Sequence, residues 1–290
     1  MSIPARTRYS GHKGAVYALS HALEPSHFLS GSGDGNVVRW KLGDTDGVTM
    51  AHIGRAVFSL HLVRRAQRLL IGDEDGGLHL VDLVQREELQ LERAHVKGIF
   101  AIVDLPGDRL AVAGGDGSLS IWTQDPAKGH QLSLQRKIPL TVDKLRGLAL
   151  NADGSLLALA CGDGTVRILD STDLNERFTI NAHSDGANCV AWHPSKPALL
   201  SGGKDGHLRL WRSDAEYQQL LAIPAHSGSI YAIAFSADGS LCATASRDKT
   251  AKLWEANSFD AIRRLDRTAG GHGHSVNALL WMDPQTLLTG

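Results

Sequence analysis

Short alternating apolar stretches, each closed by turn residues, recur along the whole chain. One phrase carries the pattern: a small-residue pair, Asp-Gly, an alternating apolar stretch, then a large residue six positions after the Asp. It occurs at Gly33-Asp34-Gly35 to Trp40, Glu74-Asp75-Gly76 to Val81, Gly115-Asp116-Gly117 to Trp122, Gly162-Asp163-Gly164 to Leu169, Lys204-Asp205-Gly206 to Trp211 and Arg247-Asp248-Lys249 to Trp254. The Asp positions are 41, 41, 47, 42 and 43 residues apart. Regular punctuation of this kind is the signature of an internal repeat.

A second phrase, a small residue followed by His, precedes the units at Gly11-His12, Ala51-His52, Ala94-His95, Ala182-His183, Ala225-His226 and Gly273-His274. Where both phrases are present, His and Asp are 21 to 23 residues apart. Between them lie two apolar segments joined by turns such as Asn151-Ala152-Asp153-Gly154 and Ser236-Ala237-Asp238-Gly239. An Asp-Gly between alternating segments predicts a tight hairpin, because Gly supplies the positive φ such turns need. Each unit therefore reads as a meander of strands a, b, c and d, at a period suited to four-stranded propeller blades.

With six such phrases in register, the chain resembles the WD-repeat β-propeller family over essentially its whole length. The resemblance implies a buried tetrad in each blade: His before strand a, Ser or Thr on strand b, Asp in the b–c turn and Trp on strand c. Complete sets stand at His12, Ser30, Asp34 and Trp40, at His183, Ser201, Asp205 and Trp211, and at His226, Thr244, Asp248 and Trp254. Blade 3 has His95, Asp116 and Trp122, with Val112 in place of the hydroxyl. Blade 2 keeps His52 and Asp75 but has Ile71 and Val81. Blade 4 has no His phrase and carries Leu159 and Leu169, so blades 2 and 4 are expected to rely on apolar packing.

The expected architecture is an all-β, seven-bladed propeller of four-stranded antiparallel blades in a single domain, residues 1–290. Its blade units run over 11–50, 51–93, 94–138, 139–181, 182–224, 225–272, and 273–290 joined by 3–9. After His274 come a strand a over 276–282, a turn at Asp283-Pro284-Gln285 and a strand b over 286–289, with Thr289 at the hydroxyl position. Residues 3–9 are expected to close this last blade as its outer strand d, which removes free sheet edges. Strand c of that blade is missing from the 290 residues, and we expect the natural chain to continue past Gly290.

Composition narrows the function. Thirty Lys plus Arg against 31 Asp plus Glu leave a formal charge of −1, without the basic excess of a nucleic-acid binder. No run approaches the length of a membrane span, and Met1 to Ser10 has no apolar signal region, so a cytoplasmic protein is expected. Cys161, Cys189 and Cys242 are far apart and read as small core residues. Of the 14 histidines, six sit in the His phrase, and His21, His27, His61, His79, His130, His193, His207 and His272 lack zinc-site spacing. Asp73-Glu74-Asp75-Gly76 lacks the further ligands of a calcium loop and reads as a solvated b–c turn. No nucleophile elbow, phosphate loop or dinucleotide fingerprint is present. We expect no cofactor and no metal.

The clearest candidate site is the position just after the start of each strand a: Tyr17, Phe58, Phe100, Arg146, Asn188, Tyr231 and Asn277. By the family resemblance this position points at the channel mouth on the narrow top face. Four of the chain's ten Phe plus Tyr fall at these seven places. The residue before each turn Asp should rim the same face, among them Glu74, Lys204 and Arg247. Aromatics interleaved with basic residues are the composition of interface hot spots. By contrast, Arg64, Arg65 and Arg68 read as a solvated a–b turn. The function expected is a non-enzymatic scaffold, a monomeric ring that binds a protein or peptide on its top face. The alternative is a hydrolase or lyase with a metal in the central channel, which would need His or carboxylates at the inner ends of the strands.

Overall fold

A computed structural model describes residues 6–128, 130–268 and 270–290. The protein is an all-β propeller whose blades are antiparallel four-stranded sheets with strands in chain order from the channel outward. The innermost strands of blades 1 to 6 are Val16–His21, Val57–Val63, Ile99–Leu105, Leu145–Leu150, Ala187–Trp192 and Ile230–Phe235. Each contacts the next around the ring. The helical elements among the described residues are 3-10 turns at Arg64–Ala66 and Pro126–Lys128, and no helix there is long and apolar enough to cross a membrane.

Among the described residues six blades are complete, not seven. The seventh ring position holds a two-stranded sheet, Leu279–Asp283 paired with Thr286–Thr289. Leu279–Asp283 touches the inner strands of both blade 6 and blade 1, so this small sheet sits between them. Of the segment expected as its outer strand d, residues 6–9 are not in a strand, and 3–5 lie outside the described residues. The physical reason is the ladder: an outer strand needs a strand c to pair with, and none stands between it and Thr286–Thr289. Packing joins the sheet to blade 1 instead. Leu280, Met282 and Leu288 pack with Phe28, Val38 and Trp40, and Tyr9 joins them edge-on, its ring 5.0 Å from Phe28. Asn277 adds a direct tie, donating through Nδ2 to the Val16 carbonyl at 2.9 Å.

The core lies between blades. The middle strands are buried on both faces, as in Leu69, Leu70 and Ile71 of blade 2 and Leu157, Ala158 and Leu159 of blade 4. Side chains alternate along each strand, so a strand packed between two neighbouring sheets is apolar on both sides. The b–c turns place Gly35, Gly76, Gly117, Gly164 and Gly206 at φ between +73° and +92°. At Gly117 a Cβ would also run into the Thr141 carbonyl in the connection to blade 4, so only glycine fits.

Candidate functional site

Two sets of polar side chains rest on this frame, one buried inside the blades and one open at the channel mouth. In blade 1, His12 Nε2 lies 2.7 Å from Ser30 Oγ, its Nδ1 lies 3.1 Å from Asp34 Oδ2, and Trp40 Nε1 donates to the same Ser30 Oγ at 2.8 Å. Blade 5 repeats this with His183, Ser201, Asp205 and Trp211, and blade 6 with His226, Thr244, Asp248 and Trp254. Each hydroxyl thus meets an indole and an imidazole, which satisfies all three buried groups.

Blade 3 lacks the strand-b hydroxyl but not the network. Ser120, on strand c directly opposite Val112, receives Trp122 Nε1 at 2.9 Å and lies 2.9 Å from His95 Nε2. Blade 1 has Ser30 on strand b facing Val38 on strand c. The two blades exchange the same pair across the ladder, and the oxygen ends up in the same place. Sequence reasoning missed Ser120, although its position two residues before Trp122 puts it on the same face of the strand.

Blade 2 departs further. His52 is exposed and bonds Asn36 Oδ1 at 3.0 Å, while Asp75 pairs with Arg55 at 2.9 Å, so these two do not meet. The acid that is buried is Asp73, taken from sequence as part of a solvated turn. It is 2% exposed and accepts from the Gly77 and Asp75 backbone N–H groups at 2.7 and 2.9 Å. Its partner is His79 Nε2 at 3.1 Å, whose other nitrogen faces Glu88 Oε1 at 3.0 Å. His79 stands opposite Ile71, the strand-c position that holds Ser120 in blade 3, Arg209 in blade 5 and Lys252 in blade 6.

The protonation states differ accordingly. Burial lowers the pKa of His183 to about 4, outweighing the pull of Asp205, and it also lowers those of His95 and His226. Burial acts on His79 as well, but hydrogen bonds and charge from Asp73 and Glu88 push it further the other way, above the ordinary histidine value. In blade 4, Leu159 and Leu169 are fully buried in an apolar cluster. In the seventh sheet the histidine is His272, not His274. Its Nε2 lies 2.7 Å from Thr289 Oγ1. Spacing was the available signal, because His and hydroxyl are 18 residues apart in blades 1, 5 and 6 and 17 apart here.

At the channel mouth, Tyr17, Phe58, Phe100, Arg146, Asn188, Tyr231 and Asn277 line one cavity of about 230 Å³. The backbone explains their common direction. Every complete blade has a β-bulge at the start of its inner strand, and the extra residue is Tyr17, Phe58, Phe100, Arg146, Asn188 or Tyr231. In blade 1, Val16 pairs with Ser32 and Ala18 with Gly31, which leaves Tyr17 without a partner. A bulged residue drops out of the alternation and is re-aimed, here while the preceding residue stays buried in five of the six blades.

The rings are ordered among themselves. Tyr17 meets Phe58 edge-on at 5.2 Å, and Phe58 stacks on Phe100 at 5.4 Å and 12° between planes. Glycines beside them leave room: a Cβ on Gly98 would come within 2.8 Å of the Phe58 ring and one on Gly115 within 2.9 Å of Phe100. Arg146 Cζ stands 4.6 Å from the Phe100 ring centre and Lys144 Nζ 5.8 Å from it. Tyr17 is 38% exposed; Phe58, Phe100, Arg146 and Tyr231 are half-buried. Asn188 is buried and donates to the Ile230 carbonyl at 3.0 Å, so Asn188 and Asn277 both tie neighbouring blades together. Of the rim residues, Glu74, Lys204 and Arg247 are exposed, and Glu74 accepts from the Ala56 N–H at 3.0 Å.

Comparison with known proteins adds the family. The WD domain, G-beta repeat model matches residues 4–41, 139–170, 174–212 and 217–255. This chain belongs to the WD-repeat family. The matched segments leave out 42–138, which contain the ionic pair of blade 2 and the exchanged hydroxyl of blade 3. The chain is similar to WD repeat-containing protein 1 of Xenopus tropicalis, 29% identical over 66% of this chain and 32% of that protein. It is 24% identical to the serine-threonine kinase receptor-associated protein of Gallus gallus over 85% of this chain and 68% of that one. It is 30% identical to a probable cytosolic iron-sulfur protein assembly protein of Kluyveromyces lactis over 44% and 41% of the two chains. The chain thus spans between about a third and two thirds of the length of these WD-repeat relatives.

Proposed function

We propose that this protein is a non-enzymatic scaffold, a single ring over residues 1–290 that acts as a monomer and captures a protein or peptide at its channel mouth. The observation that carries the reading is the set of six bulges that turn three aromatics of blades 1 to 3, Arg146, Asn188 and Tyr231 toward one cavity. Rigid aromatic rings around a basic group bury large area at low entropic cost, which is what a recognition anchor requires. The metal-dependent alternative needs convergent His or carboxylates, and the seven lining side chains are aromatic, amide and guanidinium. Relatives named for association with a receptor kinase and for assembly of iron-sulfur proteins fit a binding role, and one carries cytosolic in its name, in keeping with a cytoplasmic location. The near-neutral charge favours a protein partner over nucleic acid.

The test is affinity capture with quantitative mass spectrometry, comparing the wild-type protein with a Tyr231→Ala and Arg146→Ala double variant of matched melting temperature. Proteins retained by the wild type should be lost from the double variant. Equal retention by both would place the binding surface elsewhere.

A further inference from the structure

The basic groups at the channel mouth outnumber the acids that meet them. Several basic groups elsewhere find acids: Arg39 with Glu24 at 3.2 Å, Arg55 with Asp75 at 2.9 Å, Lys137 with Asp116 at 3.0 Å and Arg177 with Asp170 at 2.9 Å. A second cavity, of about 370 Å³ over blades 4 and 5, has Arg209 in its wall, but Arg209 is held by Asp205 at 2.7 Å. The guanidinium of Arg146 has no hydrogen bond or ion pair among the described residues; it faces the Phe100 ring and Tyr231. Lys144 shares that ring, and burial together with the charges of Arg146, Lys204 and Lys97 lowers its pKa. Four cations therefore crowd the mouth over blades 3 to 5, while the acidic rim residue Glu74 stands on blade 2 and is engaged by the Ala56 N–H.

A second observation concerns the wall itself. Asn188 is 4% exposed, and its Oδ1 has no hydrogen-bond donor although its Nδ2 is satisfied. Buried polar atoms are rarely left unpaired, and this one belongs to a residue that lines the cavity. The void of about 230 Å³ equals about eight waters at about 30 Å³ each, room for a side chain and the peptide around it.

Resting on the channel mouth as the capture site, we propose that the partner presents an acidic peptide segment. One Asp or Glu carboxylate enters beside Arg146, and its neighbours lie across Lys97, Lys144 and Lys204. The carboxylate accepts two N–H bonds from the guanidinium, a geometry that lysine cannot match. Bringing negative charge to the cluster relieves the mutual repulsion of the cations, and the Phe58, Phe100 and Tyr17 rings cover the aliphatic part of the inserted side chain.

The experiment is selection of a phage-displayed library of random dodecapeptides on the full chain, followed by titration of synthetic versions of the enriched peptides by fluorescence anisotropy. Enriched sequences should be rich in Asp and Glu. Arg146→Gln, or exchange of the peptide's inserted acid for its amide, should weaken binding by roughly tenfold to a hundredfold, as for loss of a hydrogen bond to a charged group. Arg146→Lys should fall between the two, and added salt should weaken the complex. Melting of Arg146→Gln should stay close to the wild type, since that guanidinium makes no hydrogen bond or ion pair among the described residues and only rests on the Phe100 ring. Peptides without acids that are nonetheless lost on Tyr231→Ala would overturn the acidic partner and leave the mouth standing. Peptides indifferent to both Tyr231→Ala and Arg146→Gln would overturn both, as would a selection with no enrichment. Acidic peptides that lose affinity on Tyr231→Ala but not on Arg146→Gln would overturn the proposed role of Arg146.

Discussion

Blades 2 and 3 lack the strand-b hydroxyl at the same register position, Ile71 in one and Val112 in the other, and they answer the lack differently. Blade 3 moves the oxygen across the ladder to Ser120 and keeps a neutral histidine, an acid and an indole in one network. Blade 2 has Val81 where the indole would be and fills the space with a charged set, Asp73, His79 and Glu88. What the two share is that the buried nitrogen and oxygen atoms of each network find partners, which is the quantity that burial penalises when it fails. Residue identity at any one position is free to change as long as the set closes. One strand-c position carries most of the change, with Val38, His79, Ser120, Arg167, Arg209 and Lys252 in blades 1 to 6.

The strongest way to break the comparison is to remove the group that both neutral networks share and blade 2 has replaced. Trp211→Ala in blade 5 deletes a side chain only 5% exposed together with its hydrogen bond to Ser201, at an expected cost of about 3–5 kcal/mol. Urea unfolding should show a large drop in midpoint; an unchanged midpoint would mean the network contributes little.

A smaller effect, and a sharper one, comes from Ser120→Ala. It leaves the Trp122 indole N–H without its acceptor and His95 Nε2 without the hydroxyl that donates to it, and should cost about 1–3 kcal/mol. Adding Val112→Ser to that variant reproduces the arrangement of Ser30 facing Val38 and should restore most of the loss. If the double variant stayed as unstable as the single one, the two sides of the ladder would not be interchangeable.

The gentlest probe is pH. His79 has a raised pKa in the folded protein, so its contribution to stability is present below about pH 6.5 and fades as the pH rises through the raised value. His183 behaves oppositely: with a folded pKa of about 4, it lets stability fall as the pH drops from about 6.5 toward 4. The stability gap between wild type and His79→Gln should therefore shrink in alkali, and that between wild type and His183→Gln should shrink in acid. Both gaps moving the same way would refute the assignment of a charged histidine to blade 2.

Much of this was legible in the residues. The spacing of Asp34, Asp75, Asp116, Asp163, Asp205 and Asp248 marks the blades, and the hydroxyl partners of blades 1, 5 and 6 sit at one fixed distance from their histidines. Six of the seven residues at the mouth could be named because each follows the start of an inner strand, and Asn277, expected to do the same, lies two residues ahead of the strand Leu279–Asp283. Three things were out of reach for different reasons. Ser120 was hidden because a motif read along the chain assigns the hydroxyl to one strand, whereas a ladder brings two strands equally close. Asp73 was hidden because it runs on into the exposed acids Glu74 and Asp75 of the turn, while it is itself the last residue of the buried strand Arg68–Asp73. The two-stranded seventh sheet follows from pairing, since a strand d has no existence without the strand c it bonds.

The bulges at the inner strands carry one more consequence. Each residue turned toward the channel mouth in blades 1 to 6 is the one its ladder leaves out, so its side chain contributes little to the pairing that builds the blade. With capture at the mouth as proposed, folding and recognition are thereby written at separate addresses. Such a ring can drift in what it recognises while its scaffold stays constant, and a designer could rewrite Tyr17, Phe58, Phe100, Arg146 and Tyr231 as a single palette without touching the sheets that hold them.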